Sequence, residues 1–314
     1  VHTARRLAAI ALPAVLALTA CGGQTPQESG SDQPPAEGFP VTVTDARGEV
    51  EFDTAPQRIV SLSPSTTEML FAIGAGDQVV AADEHSNHPE EAPDTALSGF
   101  TPSVEAISEY DPDLVILARD AESAVEQLET VEIPVLLMPA AETLDDTYAQ
   151  MEMLGDATGH ADAAEEAAAG VRSEIESIVA ETEDELGDTE LSYYHELDTG
   201  MYTVTSQTFV GQVYALFGLR NIADEAGDTA GGYPQLSAEF VVEQNPDLIF
   251  LSYPGGRDNV DAVAERPAFD QISAVRNDRV TELDPDVASR WGPRVVDFAQ
   301  KVSDVAVAAA QEEG

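Results

Sequence analysis

Two stretches of this chain superimpose without a gap, and that repeat limits the folds open to it. Ser103-Val-Glu-Ala-Ile-Ser-Glu-Tyr-Asp-Pro-Asp-Leu-Val-Ile-Leu117 lies against Ser237-Ala-Glu-Phe-Val-Val-Glu-Gln-Asn-Pro-Asp-Leu-Ile-Phe-Leu251 at a constant offset of 134 residues, with seven identities in 15 positions. Each copy reads as an N-cap serine, a short helix, a turn built on Pro-Asp, and a continuous apolar strand buried on both faces. Similar short apolar runs surround each copy: Arg58–Leu62, Val79–Ala82 and Pro134–Leu137 around the first, Leu191–His195 and Val280–Leu283 around the second. Helical segments separate them, the alternation of a mostly parallel sheet. The expected architecture is α/β: two Rossmann-like lobes related by duplication.

Between the lobes lies Leu144–Leu186. Its second part, Ala161–Leu186, has no proline and one glycine, Gly170. Ala164, Ala168, Val171, Ile175, Ile178, Thr182 and Leu186 recur in steps of three and four, one stripe on a helix. Asp162 and Glu165 form a capping-box-like start, and Gly187 supplies a stop. The periodicity predicts a single long helix of about 39 Å at ~1.5 Å per residue, long enough to join two lobes.

The expected division is a leader at 1–20, a tether at 21–40, an N-terminal lobe at 41–142, a helical linker at 143–187 and a C-terminal lobe at 188–314. Arg5 and Arg6 precede an apolar run, Leu7–Leu18, of signal-peptide length. Leu18-Thr19-Ala20-Cys21 resembles a bacterial lipobox, in which Cys21 would take a lipid and become the mature N-terminus. Cys21 is also the sole cysteine, which rules out an intrachain disulfide. Gly22–Pro40 is rich in Gly, Ser, Gln, Pro and acids and reads as a flexible tether. Val41–Phe52 alternates on both sides of a turn at Asp45–Gly48 and predicts a hairpin.

Fifty-nine acids against 14 bases give a formal charge of −45. Such a surface repels nucleic acid and anionic lipid, so contact with a membrane would come through the lipid anchor alone. No Gly-x-Ser-x-Gly elbow and no dinucleotide-binding glycine pattern is present; Gly74-Ala-Gly76 ends a helix instead of opening one.

With those residues assembled, the sequence resembles the substrate-binding lipoproteins of ABC importers for metal chelates, the class that binds ferric siderophores, haem or cobalamin and has one rigid helix between its lobes. The carrying motifs are Arg58-Ile-Val-Ser-Leu-Ser-Pro-Ser-Thr-Thr-Glu-Met-Leu70, the two Glu…Pro-Asp-Leu units, Gly232-Tyr-Pro-Gln-Leu-Ser-Ala-Glu239 and Ser289-Arg-Trp-Gly-Pro-Arg294. The resemblance implies a monomeric, extracytoplasmic, lipid-anchored protein that does no chemistry and holds no cofactor of its own. It would capture an iron–siderophore or corrinoid chelate in the interlobe cleft and deliver it to a permease and, through it, an ATPase. It also implies that Glu105 and Glu239, one exposed acid per lobe, dock to arginines of the importer, a pairing suited to bidentate guanidinium contacts. Both are equally accounted for as first-turn acids that favour the helix dipole.

The cleft is expected at the carboxyl ends of the strands. Ser63, Ser65 and Thr66 follow the first strand, with helix capping as the competing use. His85 and His88 follow the second, where cobalamin binders tend to carry tyrosines. Phe100 and Tyr233 occupy equivalent turns, each a few residues before its repeat serine, where two rings could sandwich a flat ligand. Arg119 and Arg257 follow the two homologous strands and could meet an anionic chelate. The resemblance places Asp286, Arg290 and Trp291 on a ligand-facing loop before the last helix. Three alternatives stay open: a haem receptor using His85 or His88 with Tyr233, a bare-metal receptor using His85, His88, His195 and Glu196, and an extracytoplasmic enzyme on the same scaffold.

Overall fold

Ala161–Leu186 forms one uninterrupted helix of 26 residues, and its buried positions are the seven of the sequence stripe, from Ala164 to Leu186. This is a computed structural model, which describes residues 38–227 and 230–313; the leader, Cys21 and most of the tether lie outside the described residues.

The N-terminal part opens with the antiparallel hairpin β1 (Val41–Asp45) and β2 (Gly48–Phe52). Then follow β3 (Ile59–Leu62), α1 (Pro64–Ala72), β4 (Val79–Ala82), α2 (Val104–Ser108), β5 (Leu114–Leu117), α3 (Ala124–Thr130) and β6 (Val135–Leu137). Helices α4 (Leu144–Thr158) and α5 (Ala161–Leu186) come next. The C-terminal part contains β7 (Ser192–Glu196), α6 (Phe209–Ala215), β8 (Arg220–Asn221), α7 (Ala238–Gln244), β9 (Leu248–Leu251), α8 (Arg257–Ala264), α9 (Ser273–Arg276) and β10 (Val280–Glu282). It closes with α10 (Pro285–Ala288) and α11 (Val295–Glu313).

Both sheets are parallel throughout, and both have the same strand order. The first runs β4-β3-β5-β6 and the second β8-β7-β9-β10, so in each the second strand of the lobe sits outside the first, followed by the third and fourth. The repeat explains the match. Ser103 and Ser237 cap α2 and α7 by accepting from the N–H groups of Ala106 and Phe240. Asp111 and Asn245 occupy the same αL position at the end of those helices, each with φ +47°, a conformation these two residue types tolerate. Asp113 accepts from the N–H groups of Gln57 and Arg58 at the head of β3, and Asp247 from that of Ser192 at the head of β7. The Pro-Asp aspartate therefore fastens the third strand of each lobe to the first.

Helices α4 and α5 form an antiparallel pair that carries the core from one lobe to the other. The turn between them is set by Gly159, at φ +83°. Gly155 permits the close crossing, because a Cβ there would lie 2.3 Å from the Cβ of Ala164. One apolar cluster runs from Ile59, Leu114 and Leu136 through Met151, Leu154 and the α5 stripe to Tyr193, Phe250 and Phe298. Thr182, the polar member of the stripe, donates to the Ile178 carbonyl and meets Ser303 of α11 at 2.6 Å. The capping box expected at Asp162 and Glu165 is not formed. The N-cap of α5 is His160, without a side-chain cap bond, since the chain enters α5 directly from the Gly159 turn. The box that exists belongs to α4, where Thr143 and Asp146 each bond the other's backbone N–H.

Candidate functional site

Three carboxyl strand ends of the first sheet converge on a cavity of about 280 Å³. Ser63 and Ser65 follow β3, Asp83 and His85 follow β4, and Ala118 and Arg119 follow β5. The opposite wall is the segment Asp286, Ser289, Arg290 and Trp291 that follows β10 of the second sheet. The cleft thus lies where parallel sheets place ligands, beyond the strand ends and between two lobes.

The first wall is built for rigidity. Asp83 is buried; one carboxylate oxygen accepts from the N–H of His85 at 2.9 Å and the other from the N–H of Gly99 at 2.5 Å. Gly99 is required for the approach, since a Cβ there would fall 2.3 Å from the Leu62 carbonyl oxygen. The loop so fixed presents Phe100, which is 58% exposed. His85 meets its ring edge-on at 6.2 Å between centroids, and the Arg119 guanidinium lies 4.6 Å above the ring centroid. Tyr233, at the equivalent turn of the second lobe, is 50% exposed. Neither ring is spent covering its own lobe.

The second wall is held by ionic contacts that cross between the lobes. Arg290 Nη1 donates to Glu68 Oε1 at 2.7 Å and to Asn87 Oδ1 at 3.0 Å, and Nη2 to the His85 carbonyl at 2.8 Å. Asp286 pairs with Arg290 at 3.0 Å and accepts from Asn87 at 2.6 Å. The Trp291 backbone N–H donates to Ser65 Oγ at 3.3 Å.

Eight of the twelve sequence candidates therefore line one cavity: Ser63, Ser65, His85, Phe100, Arg119, Asp286, Arg290 and Trp291. Thr66 does not; it is 1% exposed, and its N–H bonds the N-cap Ser63, so its place in the first turn of α1 turns it inward. Tyr233 and Arg257 are exposed and lie outside that cavity, Arg257 as the first residue of α8. His88 is exposed and lines a separate depression with Phe71 and Pro89. The importance of Arg290 was legible, but its carboxylate partner was not singled out. Residues 65–70 of α1 are buried without a break, so an acid at position 68 had to have a cationic partner, and that was the available signal.

The bare-metal set is not assembled. His195 and Glu196 are adjacent on β7 and so face opposite sides of the sheet. His195 bonds Tyr214 and Ser252, and complete burial pushes its pKa down to about 3. Glu196 takes both arms of the Arg266 guanidinium and the hydroxyls of Tyr194 and Tyr253. Among the described residues no group of three or more His, Cys, Asp or Glu side chains could hold a metal ion.

Residues 59–287 match the family model for periplasmic binding proteins. The chain belongs to that family. An uncharacterised ABC transporter substrate-binding lipoprotein of Bacillus subtilis is 31% identical, over 95% of this chain and 95% of its own. A cobalamin-binding protein of Halobacterium salinarum is also 31% identical, over 84% of this chain and 76% of its own. Among solved structures, a periplasmic haem-binding protein of Roseiflexus in apo form matches with TM-score 0.73 and 25% identity, over 81% of this chain and 99% of that one. The periplasmic vitamin B12 binding protein of Vibrio cholerae matches with TM-score 0.69 and 26% identity, over 82% and 98%. As a member of this family the protein binds a small solute outside the cytoplasm, passes it to an ABC importer, and is not an enzyme.

Proposed function

We propose that the protein captures a bulky metal chelate of the corrinoid type across the cavity between its lobes. The observation that carries this reading is the division of labour in the cleft. Arg290 is neutralised by Glu68 and Asp286, while Phe100 stands exposed at the same cavity. A cleft whose Arg290 is already paired, and whose remaining cation, Arg119, lies over the exposed Phe100 ring, offers a stacking surface more than a set of open cations, which favours a large and mostly uncharged ligand over a strongly anionic one. The cavity is near the lower end of the usual range for small-molecule sites, so a corrin would lie partly outside it. Tyr233 and Arg257 of the second lobe would then complete the contact surface beyond the cavity. Relatives named cobalamin-binding and vitamin B12-binding proteins support the same class.

Several further assignments belong to this reading. Cys21 carries the lipid that ties the chain to the outer face of the membrane, after removal of residues 1–20. Residues 41–142 and 188–314 are the two lobes, joined by the linker at 143–187, and the protein works as a monomer. Glu105 and Glu239 dock to the permease; both are exposed in the first turns of the equivalent helices α2 and α7, and neither forms a salt bridge among the described residues. Trp291, the sole tryptophan, borders the cavity and reports on it directly. Its fluorescence should quench saturably with cyanocobalamin, with calorimetry as the check because the ligand absorbs in the same range. Heat and quench from a ferric siderophore or haem, with none from the corrinoid, would overturn the ligand assignment.

A further inference from the structure

The wall of the cleft that belongs to the second sheet is held in place by the first lobe. The chain leaves β10 at Glu282 and, within eight residues, Arg290 has reached α1 and the loop after β4 of the N-terminal lobe. The anchor is Glu68. Its side chain is 1% exposed, and it is shared by two arginines of 6% and 17% exposure. Arg290 and Arg294 both donate to Oε1, at 2.7 and 2.6 Å, and Arg294 adds a second bond from Nε to Oε2 at 3.1 Å. Between these arginines, Gly292 packs on the same carboxylate; a Cβ there would stand 3.2 Å from Glu68 Oε2 and 3.4 Å from the Ser65 carbonyl oxygen.

Ala288 of this segment is buried in the apolar core, with Val287 and Trp291 packed against the same core. The polar ties of the ligand-facing segment run to a buried carboxylate, one asparagine, one backbone carbonyl and one serine hydroxyl, all on the first lobe. A buried carboxylate flanked by guanidiniums is well satisfied when intact; without its charge, Arg290 keeps only Asp286 and the partly buried Arg294 loses its carboxylate partner. We propose that Glu68 is the positioning residue of the cleft, a buried clamp that holds the Asp286–Trp291 wall against the N-terminal lobe, so that the cavity is assembled before a ligand arrives. The proposal rests on the cavity being the ligand site. Glu68 acts through Arg290 and Trp291; it does not line the cavity itself.

The consequence for binding follows from preorganisation. If loss of the clamp leaves the wall docked one-tenth of the time, the apparent Kd weakens about tenfold, because only the docked fraction binds. The test is Glu68→Gln, which keeps the side-chain volume and removes the charge. Trp291 should become at least twice as accessible to acrylamide quenching in the folded protein, and affinity for the chelate that binds the native protein should fall about tenfold. Glu68→Asp, which keeps the charge, should recover part of both. Unchanged acrylamide quenching in folded Glu68→Gln overturns the clamp, even if the variant melts at a lower temperature. Should that variant not fold, Arg294→Gln carries the test, with the same signs and a smaller effect; unchanged quenching there overturns the proposal equally. If no chelate perturbs Trp291 in the native protein, the ligand site is wrong, whereas a rise in acrylamide quenching in Glu68→Gln still supports the clamp.

Discussion

His195 makes a quantitative link between the second lobe's core and pH. It is fully buried, and its two ring nitrogens meet only hydroxyls, of Tyr214 and Ser252. Burial pushes its pKa from the ordinary 6.5 to about 3, and no carboxylate faces it to offset that loss, since Glu196 lies on the other side of the strand. Between those two values the unfolded chain binds a proton at this site and the folded chain does not. Its contribution is therefore fully present above about pH 6.5 and is lost as the pH falls towards 3. At pH 5 the gap is 1.5 units below the unfolded value, which at about 1.4 kcal/mol per unit is a loss of about 2 kcal/mol relative to pH 7.5. Urea unfolding of the native protein and of His195→Gln at both pH values isolates this term, because the carboxylates titrate alike in both proteins. The native protein should lose about 2 kcal/mol more than the variant. Equal losses would mean that the imidazole is protonated inside the fold, and the reasoning from burial would fail.

Two further outcomes test the surface and the lobe junction. Replacing Glu105 and Glu239 together by Ala should abolish transport into cells while leaving the Kd for ligand unchanged; a weakened Kd would place these acids in the cleft or the fold instead of at the importer. Gly155→Ala should destabilise by about 1–3 kcal/mol, as overpacking of a core contact does, because its Cβ would collide with that of Ala164. Thermal unfolding measures that loss, and a neutral result would show that α4 and α5 cross less closely than the structure has them.

The parts of this fold that were legible in the sequence are those set by local rules. The α5 stripe was readable because a helix that buries one face must repeat every three to four residues, and all seven positions are buried. The two sheets were readable because a parallel strand covered on both faces is a short unbroken apolar run. The repeat gave more than similarity: its serines cap equivalent helices and its Pro-Asp aspartates fasten equivalent strands, so those identities have structural causes. The capping box at Asp162 was misplaced because a tight helix-to-helix turn removes the need for a cap, and a turn of that kind depends on how α4 and α5 pack. The site divided in the same way. Residues just past strand ends were found from topology, whereas Thr66, His88, Tyr233 and Arg257 are adjacent in sequence to suitable positions but do not line the cavity. Glu68 was passed over because its partners lie 222 and 226 residues away, a distance no local pattern spans.

Two ties of different physical character join the lobes, and their difference matters in a chain of formal charge −45. The first is the apolar stripe of α5, shared between α4 and α11; its acids, from Asp162 to Glu185, lie on the faces left over, and like charges there repel at a range set by salt. The second is the Glu68 cluster, whose pairs are buried and are therefore little affected by screening. Arginine is scarce here, and of the 14 basic side chains three, Arg266, Arg290 and Arg294, are committed to two buried glutamates. That allocation separates two roles of charge. Surface acidity makes global stability depend on ionic strength, while the wall of the cleft depends on paired charges that salt does not reach. Binding by a preformed cleft should accordingly vary less with salt than unfolding does.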